Sequence, residues 1–172
     1  MKGANQAQTK VKAYSFHFEG KKLNSIVKII LIIIVGGLVL FGLAQLIPVD
    51  RTNPPVVTQV TWDSPQTAVL FKRACADCHS NETVWPWYSY VAPVSWLVAH
   101  DVSEGRAALN LSELDPSSAR YQRMIREVGE KIMEGEMPKA IYYPTHPEAR
   151  LTTEETQALA SGLQTTLNNF KK

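Results

Sequence analysis

Cys75-Ala76-Asp77-Cys78-His79 combines residue types and spacing that can do chemistry. Two thiols three positions apart can each add to one vinyl group of a porphyrin. The adjoining histidine then lies where its imidazole reaches the iron. The pattern is the c-type haem attachment signature. It predicts one covalent haem c, with thioethers at Cys75 and Cys78 and His79 as the proximal iron ligand. Three other readings use the same atoms. Cys-x-x-Cys also occurs as a redox dithiol. Half of a zinc site would need two more ligands, and without further cysteines these would come from His79, His100 or His146. A Cys75–Cys78 disulfide is the third. The histidine beside Cys78, with a membrane anchor upstream, favours haem.

The elements that must position these groups are helical. Asp63-Ser64-Pro65 is a capping side chain followed by proline, a helix start. Leu70, Phe71, Ala74, Cys75 and Cys78 follow at helical spacing, so the haem motif should close a short helix. The distal ligand should come from later in the chain. Met137 follows the helix stop Gly135 and precedes Pro138, which stiffens the backbone. A thioether on a stiff loop suits a distal iron ligand; His100 and His146 are its rivals. Met124 and Met133 lie on or beside an apolar helical stripe, where packing is the expected role. His17 lies on the opposite side of the expected membrane.

Between motif and loop, 82–96 is rich in aromatic residues: Trp85, Trp87, Tyr88, Tyr90 and Trp96. These rings are expected to fill the haem crevice and the core around it, a docking patch being the alternative. A second helix should run from Pro93 to about Leu109. Asp115-Pro116 should open a third, with Tyr121, Met124, Ile125, Val128 and Ile132 as its apolar stripe. Leu151-Thr152-Thr153-Glu154-Glu155 resembles a capping box and should open a last helix. Leu159, Leu163, Leu167 and Phe170 would form its apolar face, with Ala158 and Gly162 as a strip for close helix approach.

The 172 residues suit one modest domain with additions. The net charge of +2 is unevenly spread: residues 1–48 carry six lysines and one acid, and the remainder is net acidic. No basic patch on the folded part suggests nucleic-acid binding. From Ile29 to Ala44 no side chain is polar, and Ile29–Ile47 would span roughly 28 Å as a helix. Lysines before the run and Asp50-Arg51 after it predict an uncleaved, single-pass anchor in the cytoplasmic membrane, with the haem domain on the periplasmic or extracytoplasmic side. The expected organisation is a cytoplasmic tail (1–25), a transmembrane anchor (26–47), an extended proline-containing linker (48–62) and a c-type haem-binding domain (63–172).

Asp50-Arg51-Thr52-Asn53-Pro54-Pro55, Cys78-His79-Ser80-Asn81-Glu82-Thr83, Trp85-Pro86-Trp87-Tyr88 and Pro93-Val94-Ser95-Trp96 resemble a bacterial family, the haem-binding domain family. His100-Asp101-Val102 and Glu104-Gly105-Arg106 match it too. The likeness covers about Pro48 to Leu163 and implies an exported c-type haem domain. More broadly, the motif helix, the late Met137-Pro138 and the last helix resemble a class I cytochrome c. That implies an all-α fold in which the first and last helices of the domain cross, with Phe71, Gly162 and Leu163 as candidates for the crossing. The expected function is one-electron transfer with a membrane and redox proteins of a respiratory or photosynthetic chain as partners, not enzymatic catalysis. A haem-based sensor or ligand-binding module, or a small peroxidase, would require a vacant or displaceable distal site.

Overall fold

In the computed structural model residues 20–170 can be described, and they are helical with no strand among them. His17 and most of the tail lie outside the described residues. The chain divides into two units, meeting between Leu46 and Ile47.

The first unit contains α1, Gly20–Ala44. Its window Asn24–Ala44 has mean hydropathy 2.9, so this helix is long and apolar enough to cross a membrane. It ends at Ala44, where Gln45 Nε2 donates to the Phe41 carbonyl at 2.9 Å.

The second unit begins with an extended segment, as Pro48, Pro54 and Pro55 require. It is bonded into its domain. The Val57 and Thr58 amides both donate to the Ser112 carbonyl at 2.9 Å, and Thr58 Oγ1 donates to Leu111 O at 2.7 Å. Helix α2, Pro65–Ala74, starts as expected: Ser64 caps it, accepting from the Thr67 amide at 3.2 Å, and Pro65 opens it. It buries Thr67, Leu70, Phe71 and Ala74, spaced by three or four residues.

The haem motif does not continue α2. Cys75 leaves helical geometry at φ −131°, ψ −32° and caps the helix. Its carbonyl then accepts from the Cys78 and His79 amides at 3.2 and 2.9 Å, which starts a separate turn, α3, Ala76–His79. Two short elements therefore stand where one was expected.

Helix α4, Val94–Ala108, matches its expected span. Helix α5, Ala119–Met133, starts later than Asp115-Pro116 suggested. Asp115 instead accepts from the Ser117 amide and hydroxyl at 3.1 and 2.7 Å, forming a local turn, and Ser118 becomes the cap. Gly135, at φ 74°, follows the helix as its expected stop. Helix α6, Thr153–Asn169, has a complete capping box between Thr152 and Glu155.

The core lies where α2, α5 and α6 meet, roofed by Leu109, Leu111 and Leu114. Leu159, Leu163 and Leu167 from α6 are buried, each worth roughly 1.5–3 kcal/mol of burial. Phe71 and Leu163 belong to this cluster, so the expected contact between α2 and α6 is present. Gly162, also expected there, permits a close approach: a Cβ on it would strike Thr67 Oγ1 and lie 3.0 Å from Asp63 Oδ1.

The aromatic stretch divides between half-buried rings, Trp85 and Tyr88, and exposed ones. Trp87 is 78 % exposed, Tyr90 59 %, and Trp96 is exposed as well. The 3-10 turn Trp87–Tyr90 packs on α4, which itself carries Trp96, and Arg51 stacks on Tyr90 at 4.4 Å. Met133, at the end of α5, is 52 % exposed rather than packed, while Met124 does pack against the core.

Candidate haem site

Cys75, Cys78 and His79 lie on consecutive turns at the end of α2, and α4 packs against the second of them. Cys75 is packed against the core, and burial pushes its thiol up to about 12. Burial first, then Asp101 and Asp77, pushes Cys78 up to about 11. Both thiols are therefore neutral near pH 7, unlike a reactive dithiol, whose nucleophile is a stabilised thiolate. They are not joined in a disulfide.

Helix α4 sets how close the neighbouring backbone comes to the motif. A Cβ at Gly105 would overlap the Cys78 carbonyl oxygen and stand 2.8 Å from Cys78 Cβ. Only glycine lets the helix come this close to the motif. One turn on, the Leu109 carbonyl lies 3.0 Å from His79 Nδ1. The imidazole N–H is assigned there, which leaves the Nε2 lone pair for a metal. The Leu111 amide donates to the His79 carbonyl at 2.9 Å, so ring and main chain are both held.

Burial also lowers the His79 pKa below its ordinary 6.5, against the raising effect of the Leu109 and Gly105 carbonyls. The neutral imidazole is the form that binds metal. A pH dependence follows for the haem-free protein. Unfolded His79 takes a proton near 6.5, whereas folded His79 takes one only at lower pH. This contribution to stability is therefore fully present above 6.5 and falls as pH drops below it. Thermal unfolding of a Cys75→Ser/Cys78→Ser variant should give a lower midpoint at pH 5.5 than at 7.5, and His79→Asn should flatten that difference. An equal slope with and without His79 would contradict the assignment.

Asp77, inside the motif, organises a second group. Its Oδ2 accepts from the Tyr142 hydroxyl at 2.7 Å and lies 4.0 Å from His146 Nε2. Tyr142 and His146 stack at 3.8 Å with planes 9° apart, and His146 Nδ1 is 3.1 Å from Thr145 Oγ1. Burial, helped by Asp77, pushes the Tyr142 phenol up, so it remains the donor. The structure thus brings His146 to the motif, with both ring nitrogens facing polar partners.

Met137 lies on the same loop, half-buried beside Tyr143 and Leu151. The Glu136 and Met137 amides both donate to the Lys131 carbonyl, at 3.0 and 3.2 Å, folding the chain back on the end of α5. Lys139 Nζ donates to Asp101 Oδ1 on α4 at 2.7 Å. Together with the Tyr142–Asp77 bond, this ties the Met137 loop to α4 and to the motif. His100 is exposed on α4 and is not drawn into this arrangement.

The polar network behind the motif had no counterpart in the sequence reading. Asn81 Nδ2 donates to Pro55 O at 2.9 Å and to Glu113 Oε1 at 3.0 Å, while Asn110 Nδ2 donates to Asn81 Oδ1 at 2.8 Å. Asn53, Thr83 and Arg106 form an adjoining set. Asn53, Pro55, Asn81, Thr83 and Arg106 stand in the quoted motifs, whereas Asn110 and Glu113 carried no sequence signal.

The donor set fits haem: two neutral thiols three residues apart and an imidazole held through Nδ1. Among the described residues no group of three or more His, Cys, Asp or Glu is placed to hold a metal ion. The sequence profile of the haem-binding domain family matches residues 39–165, most of the chain. This chain belongs to the haem-binding domain family. No curated protein and no solved structure matches it. Membership makes haem the cofactor of this domain, and the match includes the proline segment as well as the motif and the Met137 loop.

Proposed function

We propose that this haem-binding domain protein is a membrane-anchored, monohaem c-type cytochrome that carries single electrons on the outer face of the cytoplasmic membrane. The observation that carries the reading is the continuous Cys75–His79 turn with His79 Nδ1 held by Leu109 O. Cys75 and Cys78 would attach the haem, His79 would be the proximal ligand, and Met137 the distal one. His146 and His100 are the alternatives for the distal position. Bound haem supplies a one-electron couple, and thioether ligation raises its potential. The chain holds His79 neutral and aimed, and the bonds from Lys139 and Tyr142 fasten the loop that carries Met137. Two protein ligands leave no position for substrate, so the protein acts as a carrier and not as an enzyme. An apolar helix such as α1 would keep the domain near membrane-bound redox proteins, raising its effective concentration there.

Optical spectra of the purified full chain test this reading. Haem should stay with the polypeptide in acid acetone. The ferric protein should show the weak far-red band of sulfur ligation, and the ferrous protein should react poorly with carbon monoxide. Met137→Ala should abolish the band, lower the potential and admit carbon monoxide. If it changes neither spectrum nor potential while His146→Ala or His100→Ala changes both, the distal assignment fails and the carrier reading stands. Immediate carbon monoxide binding by the unaltered protein would favour the sensor reading.

A further inference from the structure

Arg106 follows Gly105 on α4, and its guanidinium gathers three segments of chain. Nε donates to the Ser80 carbonyl at 2.9 Å, directly after His79. Nη2 donates to Thr83 Oγ1 at 2.9 Å and to Asn53 Oδ1 at 2.8 Å. Nη1 donates to the Thr52 carbonyl at 2.9 Å. The partners are themselves linked. Thr83 Oγ1 donates to the Asp77 carbonyl at 2.6 Å, and Asn53 Nδ2 donates to the Thr83 carbonyl at 2.9 Å. One planar group therefore fixes Ser80 directly, Asp77 through Thr83, and the segment entering the domain.

We propose that Arg106 is the positioning residue for His79: by fixing the chain on both sides of the ligand, it sets the orientation in which the imidazole meets haem iron. The inference rests on His79 being the iron ligand. Leu109 O controls rotation of the ring, and the Leu111 amide holds the His79 carbonyl itself. The bonds from Arg106 and Thr83 fix the chain on either side of that point, at Ser80 and Asp77. Lysine cannot replace arginine here. Its single nitrogen cannot reach Ser80, Thr83, Asn53 and Thr52 together, whereas the rigid fork of a guanidinium can. The Asn53 and Thr52 bonds have a second effect. They tie the segment that follows the apolar anchor to the turn carrying the ligand, so displacement of that segment reaches His79 through one side chain.

The test compares full-length holoprotein carrying Arg106→Lys, Arg106→Gln or Thr83→Val with Thr58→Val. Thr58 Oγ1 bonds Leu111 O and Leu114 N, so its loss weakens the same domain without touching the Arg106 set. Covalent haem content, melting temperature, reduction potential and the ferric low-spin electron paramagnetic resonance g values are measured. The g values report the orientation of the axial ligand planes. Arg106→Lys should keep its haem, alter the g values and shift the redox equilibrium at least about threefold, close to 30 mV at 59 mV per decade. Thr83→Val should move the same readouts in the same direction, and Thr58→Val should lower only the melting temperature. If Arg106→Gln does not accumulate, Arg106→Lys and Thr83→Val decide the matter. Unchanged potential and g values in haem-loaded Arg106→Lys and Thr83→Val would overturn the inference, whatever happens to their melting temperatures. Absence of covalent haem from the unaltered protein would instead overturn the underlying cytochrome reading.

Discussion

Gly105→Ala should lower the melting temperature of the domain by roughly 10 °C. The added methyl would overlap the Cys78 carbonyl oxygen and meet the Cys78 carbonyl carbon at 2.9 Å. These are backbone atoms, and a rotamer change cannot relieve the contact. Overpacking of this kind costs about 1–3 kcal/mol, and rigid neighbours favour the upper end. For a domain of this size that corresponds to several degrees per kcal/mol. Relief requires α4 to move away from the motif, carrying the Leu109 carbonyl away from His79. The variant should therefore also bind less haem per chain and show a disturbed ferric spectrum. Calorimetry and the ratio of haem to protein absorbance measure the two effects. A midpoint within two degrees of the unaltered protein would show that α4 does not press on Cys78.

Leu163→Ala should cost about 3–4 kcal/mol, the larger of the two losses in free energy. Leu163 is 1 % exposed and belongs to the core cluster that contains Leu70 and Phe71 of α2. Truncating a buried leucine removes its transfer energy and leaves a cavity, typically 2–5 kcal/mol together. Helix packing on several sides leaves little scope for collapse, which argues against the bottom of that range. Met133→Ala is the matched control. That side chain is 52 % exposed, and its loss should stay within about 0.5 kcal/mol. Urea unfolding of both variants gives the comparison. A Leu163→Ala loss below 1 kcal/mol would mean that α6 does not close the core.

Several features were legible because their causes are local. Ser64-Pro65, the Thr152–Glu155 box and Gly135 need only neighbours within a turn, and each stands as the sequence suggested. The apolar run of α1 is equally local. Asp115 misled because the same side chain can cap a helix or close an Asx turn, and Ser117 decided between them. The exposure of Trp87 has a different origin. Residue type gives a burial tendency, whereas Trp87 is directed by the turn after Pro86 and by the packing of that turn on α4. In the site, the triplet Cys75, Cys78 and His79 is a reading from spacing, and the structure places the three on one turn after α2. The roles of Leu109 and Gly105 were not legible in this way, since a carbonyl partner and a steric limit leave no residue-type signature. Arg106 was visible only as part of a motif, because its acceptors lie at positions 52, 53, 80 and 83.

The pairing of α2 with α6 also fixes an order of events during synthesis. The Asp63 amide donates to Thr166 Oγ1 across 103 positions of sequence. At about 5–20 residues per second, the helix before the haem motif waits roughly 5–20 s for its packing partner to be made. During that interval Cys75 and Cys78 have not yet been enclosed by the finished core. Their burial then raises the thiol pKa values and would slow any chemistry that needs thiolate. A chain that meets its cofactor early does so with accessible sulfur. One that completes α6 first offers sulfur that the finished fold has half-buried.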